Sequence, residues 1–236
     1  MKVLGIIPAR GGSKRLPRKN VQTIDGVALV VRALKTALAA ATLTKVVVSS
    51  DDEEILGLVR RVSVQAVLRR PAALAGDESK AIEYVRHALH FLESDTGDVF
   101  DAVAIVQPTT PGVRPEDIDA TVARLWEAGA ETSVSVVKLD QLMHPLKLKT
   151  WDGVRLHPYI EGEGDRFAAQ ELPEVFVRNG GVYVTRRSVL DRGVVISADS
   201  TAHIMPREFS VDINDPIDLA FARFLLEGTA ARAQAS

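Results

Sequence analysis

An α/β fold is predicted by two features of the chain. Short apolar runs with strand character recur between segments of helical periodicity, and the first of those runs feeds a glycine-rich basic loop. The opening run, Val3-Leu4-Gly5-Ile6-Ile7, reads as a buried strand, and Pro8 ends it because proline cannot donate to a ladder in a central strand. The loop that follows carries Gly11, Gly12 and Ser13 among five cations, Arg10, Lys14, Arg15, Arg18 and Lys19, with no acid between them. Adjacent glycines let a backbone approach a ligand and turn its N–H groups inward, and the cations supply the charge that phosphates need. A loop of this kind after a strand of an α/β sheet is a nucleotide position. The Walker loop is excluded because no Gly-Lys-Ser/Thr ending occurs, and the dinucleotide fingerprint because the glycines are adjacent. A solvated basic surface loop is the plainer alternative.

The remaining elements follow in order. Val27 to Ala41 has helical apolar spacing and many alanines. Lys45 to Ser49 reads as a second buried strand, followed by a helix capped by Asp51 with Glu54 three residues on, as in a capping box. Asp51 and Asp52 therefore read as caps in preference to catalysts. A short strand is expected over Val64 to Leu68 and a helix from about Glu78 to Glu93, with His87 as a packing residue. Ala102 to Val106 is the next buried strand, and it delivers Gln107 to its carboxyl end. An amide there can offer a donor and an acceptor to a ligand, or bond to its own loop. Pro115 fits the first turn of a helix through Ala128, and the alternation of Thr132 to Lys138 predicts a strand. From Leu139 to Val177 the pattern loosens over a stretch long for a plain connection, with a turn at Trp151-Asp152-Gly153. Asp215 reads as the N-cap of a closing helix with Pro216 in its first turn, and the alanine-rich tail after Gly228 is expected to fray.

Composition sets outer bounds. The 236 residues suffice for one large α/β domain, and 46% apolar content can fill its core. A net charge of -2 gives no general attraction to nucleic acid or membrane, so the basic loop is a local feature. The lack of cysteine excludes disulfides and thiolate metal sites and fits a reducing cytoplasm. Met1-Lys2 leads directly into a strand, with no signal-type apolar region and no run of membrane-spanning length.

Five segments, taken in order, resemble the acylneuraminate cytidylyltransferases, the CMP-sialic acid synthetases. They are Ala9-Arg10-Gly11-Gly12-Ser13-Lys14 with Leu16-Pro17-Arg18-Lys19-Asn20; Arg70-Pro71-Ala72-Ala73-Leu74-Ala75-Gly76-Asp77; Gln107-Pro108-Thr109-Thr110-Pro111; Asn179-Gly180-Gly181-Val182-Tyr183; and Asp212-Ile213-Asn214. The resemblance spans almost the whole chain. It implies a single three-layer nucleotidyltransferase-type domain over residues 1–236, with a mostly parallel sheet and residues 139–177 as a dimerisation excursion. The implied reaction joins CTP to a nonulosonic (sialic-type) acid, a nine-carbon keto sugar acid, giving a CMP-sugar and pyrophosphate in a cytoplasmic homodimer with Mg²⁺ as cofactor. By resemblance, Arg10, Lys19 and Asp212 are catalytic, and Gly11, Gly12, Ser13 and Lys14 complete the phosphate loop. Asn20, Arg70 and Ser79 would hold the nucleoside, while Gln107, Asn179 and Tyr183 would face the sugar. Lys147 corresponds to a lysine near the phosphate and sugar, and Asp212 and Asn214 occupy the metal positions.

The chain also departs from the family pattern. Lys80-Ala81 stands where a serine pair is usual, Ala169 where an arginine precedes the glutamine, and Asn214 where a second aspartate is usual. Arg166 or Arg178 offers a compensating charge for Ala169. The alternatives are a CMP-3-deoxy-manno-octulosonate synthetase-like enzyme, whose loop lacks the Gly-Gly-Ser-Lys found here, and a non-catalytic nucleotide-sugar-binding relative.

Overall fold

The structure is a computed structural model that describes residues 1–160 and 172–233. Its strands are β1 (Val3–Pro8), β2 (Thr23–Ile24), β3 (Val27–Ala28), β4 (Lys45–Ser50), β5 (Val67–Arg69), β6 (Ala102–Val106), β7 (Thr132–Lys138), β8 (Lys149–Trp151), β9 (Leu156–Pro158), β10 (Phe176–Arg186) and β11 (Ser200–Ile204). Its helices are α1 (Leu29–Ala39), α2 (Glu53–Arg60), α3 (Ala81–Thr96), α4 (Pro115–Glu127), α5 (Arg187–Asp191) and α6 (Pro216–Ala233).

Among the described residues the central sheet has seven strands in the order β11-β7-β10-β6-β1-β4-β5. Only β10 runs against its neighbours; the β1–β4, β1–β6, β4–β5 and β7–β11 pairs are parallel. Alternation along each strand divides the core into two layers, as the period of two requires. Val3 and Ile7 pack with α1, α2 and α4, whereas Leu4 and Ile6 face α3 and α5 with Val47, Leu68, Val103 and Ile105. The predicted three-layer α/β class with a mostly parallel sheet is therefore what the chain adopts.

The chain leaves β1 for β4 and β5 on one side, then crosses to β6 on the other. The carboxyl ends of β1 and β6 lie side by side where the winding reverses, which is where open α/β sheets bind ligands.

Several local expectations are corrected. The first helix begins at Leu29, because Val27 and Ala28 pair with Ile24 and Thr23 in a hairpin turned by Asp25 and Gly26, at φ +49° and +70°. The cap of α2 is Asp52, whose carboxylate accepts from the Glu54 and Ile55 N–H groups at 2.9 and 3.1 Å; Asp51 instead accepts from Gly11 N–H at 3.1 Å. Helix α3 starts at Ala81, where Glu83 accepts from the Lys80 N–H at 3.0 Å, because residues 71–79 are already committed to their own tight turns. Val64–Ala66 is wound as a 3-10 turn, so the strand there is confined to Val67–Arg69. Helix α6 continues past Gly228 to Ala233, where a frayed tail was expected.

The stretch after Leu139 contains β8 and β9, a separate two-stranded ribbon. Asp152 closes its turn by accepting from the Val154 and Arg155 N–H groups at 2.8 and 2.7 Å, with Gly153 at φ +103°.

Candidate active site

A cavity of about 570 Å³ opens at the carboxyl ends of β1, β5 and β6. The basic loop forms one wall, residues 70–81 the opposite wall, and Gln107 and Thr109 the floor towards β6. Of the predicted site residues, Arg10, Ser13, Lys14, Lys19, Asn20, Arg70, Ser79 and Gln107 line it. Gly11 and Gly12 line an adjoining cavity of about 400 Å³ together with Ser13 and Lys14.

The loop holds its shape through a few buried anchors. Leu16 is buried with Ile24, Leu29, Ile213 and Leu219, which anchors the middle of the basic loop to the core. The buried Asn20 amide donates to the Arg10 carbonyl at 2.9 Å and closes the loop on itself. A Cβ on Gly11 would collide with the Asp52 carboxylate, so this position admits no side chain without a shift.

Arg70 is the least exposed cation of the cavity, at 5%. It donates from Nε to Ser49 Oγ at 3.0 Å and from Nη2 to the Ser49 carbonyl at 2.8 Å, with its guanidinium 4.5 Å from the centre of the Tyr84 ring. Burial lowers the Arg70 pKa, and Tyr84 and Asp51 oppose that shift. Burial also pushes the Tyr84 hydroxyl up to about 12, so it stays neutral at physiological pH. Ser79 donates to the Ala73 carbonyl at 3.3 Å, and Ala81 lies on the same wall, so the position where a hydroxyl is usual does face the cavity.

Lys19 connects the cavity to the Asp-Ile-Asn segment. Its Nζ donates to the Ile213 carbonyl at 2.7 Å, and burial lowers its pKa, opposed mainly by the nearby Asp212 carboxylate. Ile213 is fully buried and its N–H donates to the Thr109 carbonyl at 2.7 Å, which ties this segment to the end of β6. Alternation about Ile213 leaves Asp212 and Asn214 half-buried and touching, with Asn214 Nδ2 3.1 Å from Asp212 Oδ2. One carboxylate and one amide oxygen are hard donors suited to a cation that also binds phosphate oxygens and water. Among the described residues no group of three or more His, Cys, Asp or Glu side chains could hold a metal by itself. The predicted cap holds, with Asp215 Oδ1 accepting from the Ile217 and Asp218 N–H groups at 2.8 and 3.0 Å.

Asn179 does not face the cavity. It is buried: Oδ1 accepts from Ser135 Oγ at 2.6 Å and from Gly181 N–H at 3.2 Å, while Nδ2 donates to Ser210 Oγ at 2.9 Å and contacts Met205 Sδ at 3.1 Å. With its amide used in this way, it fixes an irregularity in β10 between Arg178 and Tyr183. Gly180 sits there at φ +75°, and a Cβ would lie 3.2 Å from Asp212 Cγ. Tyr183 is half-buried against the α3 layer; burial raises its pKa, and Arg178 and Asp212 are near enough to act on it. Lys147 lies in a short turn of the excursion and does not line the cavity. Arg166, Ala169, Gln170 and Glu171 lie outside the described residues.

Arg15, one of the loop cations, also lines the cavity, and so do Asp77, Thr109 and Tyr84, to which the sequence assigns no individual role. Tyr84 stands three residues after Ala81 on one helix face, which is the signal that points to it.

The profile of the family described as Cytidylyltransferase matches residues 4–197. The chain is 27% identical over 227 residues to a pseudaminic acid cytidylyltransferase of Campylobacter jejuni, covering 95% of this chain and 96% of the relative. It is 29% identical over 237 residues to a CMP-N,N'-diacetyllegionaminic acid synthase of Legionella pneumophila, covering 96% and 97%. A solved structure of CMP:2-keto-3-deoxy-manno-octonic acid synthetase complexed with CTP superposes with a TM-score of 0.69 at 18% identity, covering 97% of this chain and all of that one. That likeness confirms the fold. Matched by the family profile over most of its length, this chain belongs to the cytidylyltransferase family.

Proposed function

We propose that the protein activates a nonulosonic acid with CTP, releasing pyrophosphate and a CMP-sugar. The carrying observation is the convergence of Arg10, Lys14, Arg15, Lys19 and Arg70 on one cavity at the winding reversal of a cytidylyltransferase fold. The pseudaminic and legionaminic relatives support a nine-carbon 3-deoxy-2-keto acid as partner substrate. The likeness to the octonic acid synthetase carries no substrate argument at 18% identity.

In this reading the sugar's anomeric hydroxyl attacks the α-phosphate in line, and pyrophosphate leaves. Arg10, Lys14, Arg15 and Lys19 bind the triphosphate and offset the charge that develops on it, as in phosphoryl transfer generally. Arg70, stacked on Tyr84, together with Ser79 and Asn20, holds the nucleoside. Gln107 and Tyr183 face the sugar, with Arg178 near Tyr183 as a cation for its carboxylate. Asn179 and Gly180 act indirectly by placing Asp212. Mg²⁺, held by Asp212 and the Asn214 amide oxygen, would neutralise phosphate charge when bound. The single domain spans 1–236, and residues 139–177 pair two subunits, which brings Lys147 to the partner's cavity. CTP chemistry and the absence of cysteine fit a cytoplasmic enzyme, and no helix among the described residues is long and apolar enough to cross a membrane.

The test is pyrophosphate release from CTP with a panel of nine-carbon keto acids and an eight-carbon control. Release with a nine-carbon acid is expected. Release with the eight-carbon acid alone would transfer the protein to the octulosonate class, and binding of CTP with no release from any acid would favour a non-catalytic relative.

A further inference from the structure

The cations of the basic loop differ in their partners. Arg18 is held on the outer side by Asp52 and Glu54, and Lys19 by the Ile213 carbonyl. Arg10 and Lys14 converge on a single carboxylate, Asp77. Arg10 Nη1 lies 2.9 Å from Oδ1 and also donates to the Gly76 carbonyl at 3.2 Å, while Lys14 Nζ lies 2.5 Å from Oδ2.

Asp77 comes from the wall opposite the basic loop. It sits in the turn between β5 and α3, which is braced by the Ser79 N–H on the Gly76 carbonyl and by Ser79 Oγ on the Ala73 carbonyl. The ion pairs therefore cross the cavity from wall to wall, and Arg10, Lys14 and Asp77 all line it. Their side chains are 36%, 81% and 45% exposed. Ion pairs this open to solvent are weak and exchange readily. A triphosphate entering the cavity needs the same two cations, presents more negative charge than one carboxylate, and is repelled by that carboxylate at close range.

We propose that Asp77 is an exchangeable counter-ion. It holds Arg10 and Lys14 across the phosphate site, competes with phosphate groups for them, and gives them up when CTP or pyrophosphate binds. The inference rests on the cytidylyltransferase reading of this cavity. Two effects follow for the reaction. Asp77 keeps two like charges aimed inward where they would otherwise repel each other, and it weakens the hold on the pyrophosphate product so that turnover can continue.

The test is direct binding of inorganic pyrophosphate and of CTP, without the sugar acid, to the wild type and to D77N, D77S and D77E across a salt series. Both neutral variants should bind pyrophosphate more tightly, on the order of tenfold at low salt, with the gain shrinking as salt rises. D77E restores the carboxylate and should return towards the wild type, which a purely structural role for the turn would not predict. Two neutral variants at an exposed position, each checked by its melting curve, guard against a folding defect peculiar to one. Pyrophosphate affinity equal to or below that of the wild type in both folded neutral variants would overturn the proposal and leave Asp77 as a positioning residue for Arg10. A wild type that binds neither CTP nor pyrophosphate would overturn the nucleotide reading itself, whereas wild-type binding without a gain in the variants defeats only the role of Asp77.

Discussion

Lys19 is held by a backbone carbonyl while burial works against its charge. Its amine donates to the Ile213 carbonyl at 2.7 Å, and burial lowers its pKa from the ordinary 10.5 against the pull of Asp212. Replacing it with alanine is expected to lower kcat roughly a hundredfold or more, the usual loss for one charge stabiliser, with little change in melting. The rate should also fall with rising pH before the ordinary lysine range is reached, as the amine loses its proton. Stability should move the other way. A cation with a lowered folded pKa costs stability while charged, and that cost is relieved as pH rises through the folded pKa towards the unfolded one. An alkaline loss of rate without a drop in Tm, displaced upward in Lys19→Arg, checks the assignment. The neighbouring pair is read the same way. Asp212→Asn is expected to nearly abolish turnover with the fold retained, and Asn214→Asp to shift the Mg²⁺ titration of the rate to lower concentration, since charge count sets affinity for hard cations. Full activity of Asp212→Asn at ordinary Mg²⁺ would remove the metal role.

Strand β10 carries an irregularity that lies against Asp212. Where its register with β7 shifts, Gly180 takes φ +75° and lies under Asp212, with Thr110 Oγ1 also 3.3 Å from where a Cβ would sit. Alanine there would be strained and would push on the carboxylate, so Gly180→Ala is expected to cost roughly 1–2 kcal/mol, a Tm loss of a few degrees for a chain this long. It should also raise the Mg²⁺ concentration needed for half-maximal rate, which a remote glycine of positive φ such as Gly129 should not do when replaced. Elements of this sort were the hardest to read in the sequence. The runs Val3–Ile7, Lys45–Ser49 and Ala102–Val106 announce themselves because buried parallel strands are continuously apolar, and Thr132–Lys138 by its alternation. Strand β11 and helix α5 are short and half-polar, and neither was legible. The Asn179-Gly180 pair stands out as a motif, yet its local pattern does not separate a ligand amide from a structural one. Only the surrounding Ser135, Ser210 and Met205, drawn from three other segments, decide that. Asp77 was hidden for the same reason, since its partners stand more than sixty residues away.

At the scale of the whole molecule, the apolar surface is unevenly placed. Trp151, Val154 and Leu156 on and beside the β8–β9 ribbon are 62%, 78% and 65% exposed, and Leu142, Tyr159, Phe176 and Val177, from the same stretch of the sequence, are exposed as well. Exposed apolar residues gathered in one stretch mark an interaction surface more often than chance scatter does. Most oligomers of identical chains close by a two-fold axis, which would bury the same stretch on both subunits. Lys147, which does not line its own cavity, would then have a route to its partner's. A homodimer is therefore expected in sedimentation at micromolar protein. Trp151→Glu combined with Leu156→Glu should shift it to monomer, because two charges cannot be desolvated in such a contact without partners. Binding of CTP should survive in that monomer, since Arg10, Lys14, Lys19 and Arg70 of a single chain already converge on the nucleotide cavity. Turnover should fall far more than nucleotide affinity, and a Lys147→Ala dimer should reproduce part of that loss without dissociating. A monomer with undiminished kcat would show that each cavity works alone and would leave Lys147 as a surface lysine.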